Sequence, residues 1–92
     1  FEQDGFTGEE AKIILELKKI LSPSIQITPT CVRVPVFVGH CAAVTVSFDK
    51  KVTKEGAREI FKAAASVTLL DNPLEELFAT PLDVAGEDTA FV

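Results

Sequence analysis

Residues 30–41 read TCVRVPVFVGHC, a run rich in valine that carries an arginine inside it and a histidine near its end. β-Branched residues at this density predict a strand, which we extend over residues 25–37. Alternating residues predict another strand through residues 44–48. Charged side chains rarely occur inside a buried strand. Arg33 and His40 therefore need either a structural or a functional explanation.

Arg33 and His40 are seven positions apart, which is an odd number. Successive side chains of a strand point to opposite faces, so in an unbroken strand the two residues could not share a ligand. Pro35 removes a ladder donor and Gly39 permits a sharp bend, so we predict that the register breaks between them. Such a break would let both side chains converge. A single histidine at a turn is more often a partly exposed bystander, and the residues alone leave both interpretations open.

Two helices are predicted on either side of these strands. Thr7 and Glu10 have the spacing of a capping box, which marks a helix start. The apolar residues that follow recur at helical spacing and predict a core-facing stripe: Ile13, Ile14, Leu17, Ile20 and Leu21. Ser22-Pro23 predicts the end of this helix. Thr53 predicts the N-cap of a second helix, with inward positions at Ala57, Ile60, Phe61 and Ala64.

The remaining chain predicts short elements. They are a buried strand over residues 66–70, a turn at 71–73, an irregular tail over 74–88 with one helical turn, and a strand that begins at 90–92. The order α-β-β-α-β predicts an α+β fold, with helices packed on one face of a largely antiparallel mixed sheet. At 92 residues the chain is one domain or part of one.

The composition is apolar for so small a unit, with 47% hydrophobic residues and a mean hydropathy of +0.26. A chain of this size buries only about 60–65% of its unfolded surface. Two interpretations remain open: a well-filled core, or an apolar surface that another domain or subunit covers.

The charge and the cysteines exclude several functions. The net charge is −5, and the nine Lys and Arg residues form no basic stripe, so we expect neither nucleic acid nor a membrane surface as a partner. The most apolar stretch falls short of the ~18 residues of a membrane span, because it is interrupted by Arg33, Pro35 and His40. Cys31 and Cys41 form neither a disulfide framework nor the paired spacing of a zinc site, which favours a reduced, cytoplasmic protein.

Four motifs stand in order along the sequence. They are Gly-x-Thr-x-Glu-Glu-x-Lys at residues 5–12, Lys-Ile-Leu at 19–21, Cys-Val-Arg-Val-Pro-Val at 31–36 and Gly-His at 39–40. In this combination the sequence resembles the C-terminal, dimer-forming domain of aspartate-β-semialdehyde dehydrogenases, whose tail it also matches at 80–82 and 85–86. The resemblance covers essentially the whole chain. It implies that residues 1–92 are part of a dimerisation domain with the fold of the glyceraldehyde-phosphate dehydrogenase C-terminal domain.

The resemblance also implies a reaction. The family interconverts aspartate semialdehyde and aspartyl phosphate with NADP and phosphate, in the biosynthesis of lysine, threonine and methionine. A cysteine attacks the aldehyde, hydride leaves to the nicotinamide, and phosphate releases the acyl-enzyme. Carried over by position, His40 would be the catalytic acid/base, since imidazole exchanges protons near neutral pH. Arg33 would bind the substrate carboxylate, Glu9 the substrate ammonium group and Lys12 the phosphate.

Each of these roles has a structural alternative. The helix carries charges of alternating sign at helical spacing, which is typical of a solvated face: Glu9, Lys12, Glu16 and Lys19. Glu9 also stands in the first turn, where it complements the helix dipole. Arg33 could instead pair with a buried acidic residue from a part of the protein that lies outside this chain.

Several parts of the family's active site are not expected in this chain. It has no Asn-Cys turn of the kind that carries the family's nucleophile, and Cys31 is interpreted as a small buried hydrophobe within a strand. Cys41 adjoins His40, but neighbours on a strand point apart, so no Cys-His pair is expected. No glycine-rich phosphate loop follows a strand, so we expect no NADP site here.

The chain is therefore expected to be an excerpt of a longer protein. It begins at Phe1 and contains no methionine, and it stops at Val92, where the family continues into a Gly-Arg strand. We expect this piece to lack the nucleotide-binding domain, to be inactive alone and to form a homodimer.

Two other functions stay open. One is a related acyl-phosphate or semialdehyde reductase, such as N-acetyl-glutamyl-phosphate reductase. The other is a non-catalytic dimerisation module. A degenerate copy would be expected to lose the arginine or the histidine, and because Arg33 and His40 are both present, the enzyme is favoured.

Overall fold

The computed structural model describes residues 4–92, so the predicted chain start at Phe1 lies outside the described residues. The chain divides into two compact units, Phe1–Pro35 and Val36–Val92. Each unit is described by itself below.

The first unit contains helix α1, Gly8–Ile20. Thr7 is its N-cap: its hydroxyl accepts the backbone N–H of Glu10 at 3.2 Å, and the Glu10 carboxylate accepts the backbone N–H of Thr7 at 2.9 Å. This reciprocal pair confirms the predicted capping box. The helix ends at its C-cap Leu21, just before Ser22-Pro23, as predicted.

The apolar stripe of α1 is only partly covered. Ile13, Ile14 and Leu17 are half-buried, whereas Ile20 and Leu21 keep 74% and 64% of their surface exposed. The prediction of a core-facing stripe is wrong for this last turn. Helical periodicity indicates which face is apolar, but it cannot indicate whether another surface covers that face.

The second unit contains the remaining elements. Its first helix, α2, is Lys54–Ala63, and the hydroxyl of its N-cap Thr53 accepts the backbone N–H of Gly56 at 3.1 Å, which confirms the predicted cap. The other elements follow in the order β1 Val67–Thr68, β2 Asp71–Asn72, a 3-10 helix Pro73–Glu75, β3 Leu77–Phe78, α3 Pro81–Val84 and β4 Ala90–Phe91.

These strands form two small sheets. β1 pairs with β4 in parallel, with Val67 opposite Ala90, and β2 pairs with β3 antiparallel, with Asp71 opposite Phe78. Helix α2 contacts β1. The α+β class is confirmed, but the prediction of one largely antiparallel sheet is wrong for the described residues, which form two two-stranded sheets, one of them parallel.

The two strands predicted over residues 25–37 and 44–48 are also wrong. No residue of these described segments is part of a strand ladder. β-Branched composition and alternation describe the side chains of a strand, whereas a strand also needs a neighbour that bonds its backbone groups. The chain bends at residues 37–38, just before the predicted position Gly39, whose φ of +94° is a conformation that glycine adopts without strain.

The described residues contain no buried core. None of these residues is buried, and many large apolar side chains are exposed. Val32 and Val44 keep 75% of their surface exposed, and Phe37 is fully exposed. Of the two interpretations of the apolar composition, this favours a surface that a partner covers. Among residues 4–92, no helix combines the length and the apolar character needed to cross a membrane.

Candidate functional site

The first unit brings together two of the predicted site residues, Glu9 and Arg33. The Arg33 Nη2 atom lies 4.0 Å from the Glu9 Oε2 atom. Both side chains face solvent, with 93% of Arg33 and 61% of Glu9 exposed. A guanidinium beside a carboxylate at an accessible position can bind a ligand that carries both a carboxylate and an ammonium group.

Glu10 joins the start of α1 to the segment that carries Arg33. Its Oε1 atom accepts the backbone N–H of Cys31 at 3.0 Å, while its Oε2 atom accepts the backbone N–H of Thr7. The hydrogen bond from Cys31, and then the one from Thr7, hold the pKa of the Glu10 carboxyl below its usual value. The sequence predicts only the capping bond of Glu10. The missed signal is that a capping carboxylate has a second oxygen free to accept another donor.

Cys31 is half-buried, so its interpretation as a buried hydrophobe within a strand is wrong. Its backbone N–H is bonded to the Glu10 side chain and not to a neighbouring strand. Desolvation, followed by the negative charges of Glu9 and Glu10, raises the pKa of the Cys31 thiol. The thiolate is the nucleophilic form of cysteine, so these surroundings disfavour Cys31 as a nucleophile.

Lys12 lies on the exposed face of α1. Its Nζ atom is 3.7 Å from the Glu16 Oε1 atom, with 71% and 56% of the two side chains exposed. This contact is the i, i+4 pair of the alternating-charge stripe. Lys12 is also three positions beyond Glu9, a spacing that places both residues on one side of the helix.

His40 belongs to the second unit, where it is exposed and lines an open cavity of about 830 Å³. Cys41, Arg58, Phe61 and Asp71 also line this cavity. Cys41 is an exposed free thiol. An exposed imidazole on a cavity wall can donate a proton to a bound molecule or accept one from it.

An ion pair that the sequence did not predict forms part of the same cavity wall. The Arg58 guanidinium donates to the Asp71 carboxylate through Nη1 and to the Asp71 backbone carbonyl through Nη2, the latter at 2.7 Å. The pair joins α2 to β2 and is partly buried, with 28% and 42% of the side chains exposed. Arg58 and Asp71 are 13 positions apart, so the helical or strand spacing of residues in the sequence does not indicate their pairing.

Comparison with known proteins identifies the family. A family model described as semialdehyde dehydrogenase, dimerisation domain, matches residues 1–92. The chain belongs to this family. The resemblance noted in the sequence is thereby confirmed.

The most similar relatives include three bacterial proteins named aspartate-semialdehyde dehydrogenase. The one from Aquifex aeolicus is 39% identical over 93 residues, the one from Rickettsia bellii 40% over 90 residues, and the one from Bacillus subtilis 39% over 94 residues. These alignments cover 98–100% of this chain but 27% of each relative. The dimerisation-domain chain thus spans about a quarter of the length of these relatives. No solved structure matches it.

The sequence of this dimerisation domain has no Gly-x-Gly-x-x-Gly turn, the usual fingerprint of a dinucleotide site. Among the described glycines, Gly5, Gly39 and Gly86 have positive φ, but no two glycines of the sequence stand two positions apart, as a Gly-x-Gly-x-x-Gly turn requires. Within residues 4–92, no group of three or more His, Cys, Asp or Glu side chains has the arrangement of a metal site.

Proposed function

We propose that this chain is the dimerisation domain of an NADP-dependent aspartate-semialdehyde dehydrogenase and carries part of its substrate site. Family membership and the names of the relatives support this proposal. The observation that carries it is the pairing of Arg33 with Glu9. The reaction interconverts aspartyl phosphate and aspartate semialdehyde in the biosynthesis of lysine, threonine and methionine in the cytoplasm.

The substrate's own charges match the exposed pair. Aspartate semialdehyde carries a carboxylate and an ammonium group on one carbon atom. The Arg33 fork binds the carboxylate through two parallel hydrogen bonds, and the Glu9 carboxylate binds the ammonium group. The direct contact between Arg33 and Glu9 is long and exposed, so its loss to a ligand costs little.

Lys12 is the proposed phosphate contact. It lies on the same side of α1 as Glu9, and its partner Glu16 is itself exposed, so the ammonium group can leave that pair for a phosphate. Lysine binds phosphate as a point charge and does not require the geometry of a fork. Substitution Lys12→Ala is expected to raise the KM for phosphate.

His40 is the proposed acid/base. After a cysteine from another part of the dehydrogenase adds to the aldehyde, His40 accepts the proton of the resulting hydroxyl group. Its exposure on the cavity wall supports access of a substrate to the imidazole. NADP is the oxidant, and because this chain has no Gly-x-Gly-x-x-Gly turn, we assign its binding to another part of the enzyme.

We also propose how the domain folds and how it assembles. Two copies of the domain form a homodimer through apolar surface that is exposed here, and the domain has the fold of the glyceraldehyde-phosphate dehydrogenase C-terminal domain. The exposed valines and phenylalanines support such an interface. The 92-residue chain alone is inactive in this proposal.

A substrate panel tests the proposal. The dehydrogenase that carries this domain is assayed for phosphate-dependent reduction of NADP with aspartate semialdehyde or with N-acetylglutamate semialdehyde. We expect a much higher kcat/KM with aspartate semialdehyde, whose free ammonium group pairs with Glu9. Preference for the N-acetylated substrate would instead indicate the related reductase, and no activity with either would indicate a non-catalytic module.

A further inference from the structure

The geometry points to Glu10 as a positioning residue that sets the spacing of Glu9 and Arg33 by linking the start of α1 to the backbone of Cys31. This inference rests on the proposed function, in which Glu9 and Arg33 bind the substrate.

The two oxygens of Glu10 have separate partners. Oε2 accepts the Thr7 N–H at 2.9 Å and Oε1 accepts the Cys31 N–H at 3.0 Å, so one carboxylate satisfies two backbone donors from distant parts of the first unit. A carboxylate can accept at both oxygens, whereas the amide of glutamine offers one accepting oxygen and one donating nitrogen. The bridge therefore requires the ionised acid.

Both substrate-binding residues lie next to the ends of this bridge. Glu9 immediately precedes Glu10 on the helix, and Arg33 follows Cys31 by two positions. Only one residue separates Cys31 from Arg33, and consecutive Cα atoms are a fixed distance apart, so the placement of the Cys31 backbone restricts where the Arg33 side chain begins. A shift at either end changes the distance between the two charges.

No strand ladder holds the Arg33 segment in the described first unit. Residues 25–35 belong to no strand there. The Glu10 hydrogen bond joins this segment to α1. We expect that loss of the bond leaves Arg33 free to move relative to Glu9.

The test measures steady-state kinetics of the full dehydrogenase with Glu10→Gln and Glu10→Ala. We expect kcat/KM for aspartate semialdehyde to fall by roughly 10-fold to 100-fold, because misplacing a binding group by about 1 Å can cost that much. The loss should appear mainly as a raised KM, with a smaller change in kcat, and should be greater for Ala than for Gln. If Glu10→Ala fails to fold, Glu10→Gln decides the result.

The matched control is Thr7→Ala. This substitution removes the hydroxyl that accepts the Glu10 N–H and weakens the N-cap, but it keeps the backbone N–H groups of Thr7 and Cys31 that Glu10 binds. We expect its KM to stay near that of the unmodified enzyme. An equal rise in KM for Thr7→Ala and Glu10→Gln would reduce the role of Glu10 to helix capping and overturn the inference.

A double-mutant cycle with Arg33→Lys separates this inference from the proposed function. If Glu10 acts through Arg33, Glu10→Gln will add little to the KM of Arg33→Lys. Fully additive effects would overturn the inference, as would an unchanged KM for both Glu10 variants when Arg33→Lys raises it. If Arg33→Lys itself leaves KM unchanged, the assignment of Arg33 fails, and the inference that depends on it fails as well.

Discussion

The guanidinium of Arg33 lies 4.0 Å from the carboxylate of Glu9, although the two residues are far apart in the sequence. Glu9 stands in the first turn of α1, and Arg33 stands in a segment that belongs to no strand of the described residues. Both side chains are mainly exposed, so each remains available to a ligand. The proposed substrate site depends on this juxtaposition.

Glu10 should make stability depend on pH in the acid range. Its pKa is lowered in the folded protein, so the ionised carboxylate stabilises the fold above the usual glutamate pKa, and this contribution is lost as pH falls through the lowered value. We therefore expect Glu10→Gln to be less stable than the unmodified protein at neutral pH and equally stable in acid. Urea denaturation over a pH series measures both proteins.

The two proteins differ only at position 10, so the comparison reports the effect of the Glu10 side chain. A stability difference that did not change with pH would contradict the role of the Glu10 charge.

The Arg58–Asp71 pair should contribute measurably to stability. Arg58→Ala removes two donors from Asp71, and because the pair is only partly buried we expect a loss of about 1 kcal/mol in the free energy of unfolding. The control is Lys62→Ala, which breaks the exposed Lys62–Glu59 pair and should cost less than about 0.5 kcal/mol. Equal losses in urea denaturation would contradict a special role for Arg58.

The exposed apolar surface of the second unit should mediate self-association. Phe37→Asp and Val44→Asp each place a charge on an exposed apolar residue. For a substitution at the centre of the interface, we expect the dimer dissociation constant to rise by about 30-fold or more. Sedimentation velocity at several protein concentrations measures this, with Lys50→Ala as a polar surface control. A protein that stays monomeric at high concentration would contradict the proposed homodimer.

His40 should affect turnover more than substrate binding. In the full dehydrogenase, His40→Ala is expected to lower kcat by roughly 10²-fold to 10⁴-fold, the usual contribution of general acid–base catalysis, with little change in KM. Cys41→Ser is the matched control, because it changes the neighbouring residue on the same cavity wall and should leave kcat unaltered. An unchanged kcat in His40→Ala would remove the assignment of His40 as acid/base.

Local signals predicted the starts of α1 and α2 and one short strand, whereas the turn predicted at residues 71–73 is occupied by β2 and the start of the 3-10 helix. Thr7 with Glu10 and Thr53 marked the starts of α1 and α2, and the strand expected at residues 90–92 corresponds to β4. Each of these features depends on residues within a few positions of one another or on a short apolar run. The motifs of the first 40 residues likewise predicted the family correctly.

Features that depend on distant partners were not predicted. The valine-rich segment has the side chains of a strand, but alternation cannot identify a neighbouring strand, and residues 25–37 have none in the described structure. The contacts of Glu10 with Cys31 and of Arg58 with Asp71 join residues that only the folded chain brings together. The family resemblance assigned Glu9 and Arg33 to two groups of one substrate, but the direct contact between them was not predicted.

The most direct test of the proposed substrate site is the effect of Arg33→Lys on the kinetics of the full dehydrogenase with aspartate semialdehyde. Lysine keeps the charge but loses the planar pair of donors that binds a carboxylate at both oxygens. We expect KM for aspartate semialdehyde to rise by at least about 10-fold, the equivalent of about 1.4 kcal/mol, while kcat changes less. An unaltered KM would contradict it, because the exposed guanidinium beside Glu9 would then have no part in substrate binding.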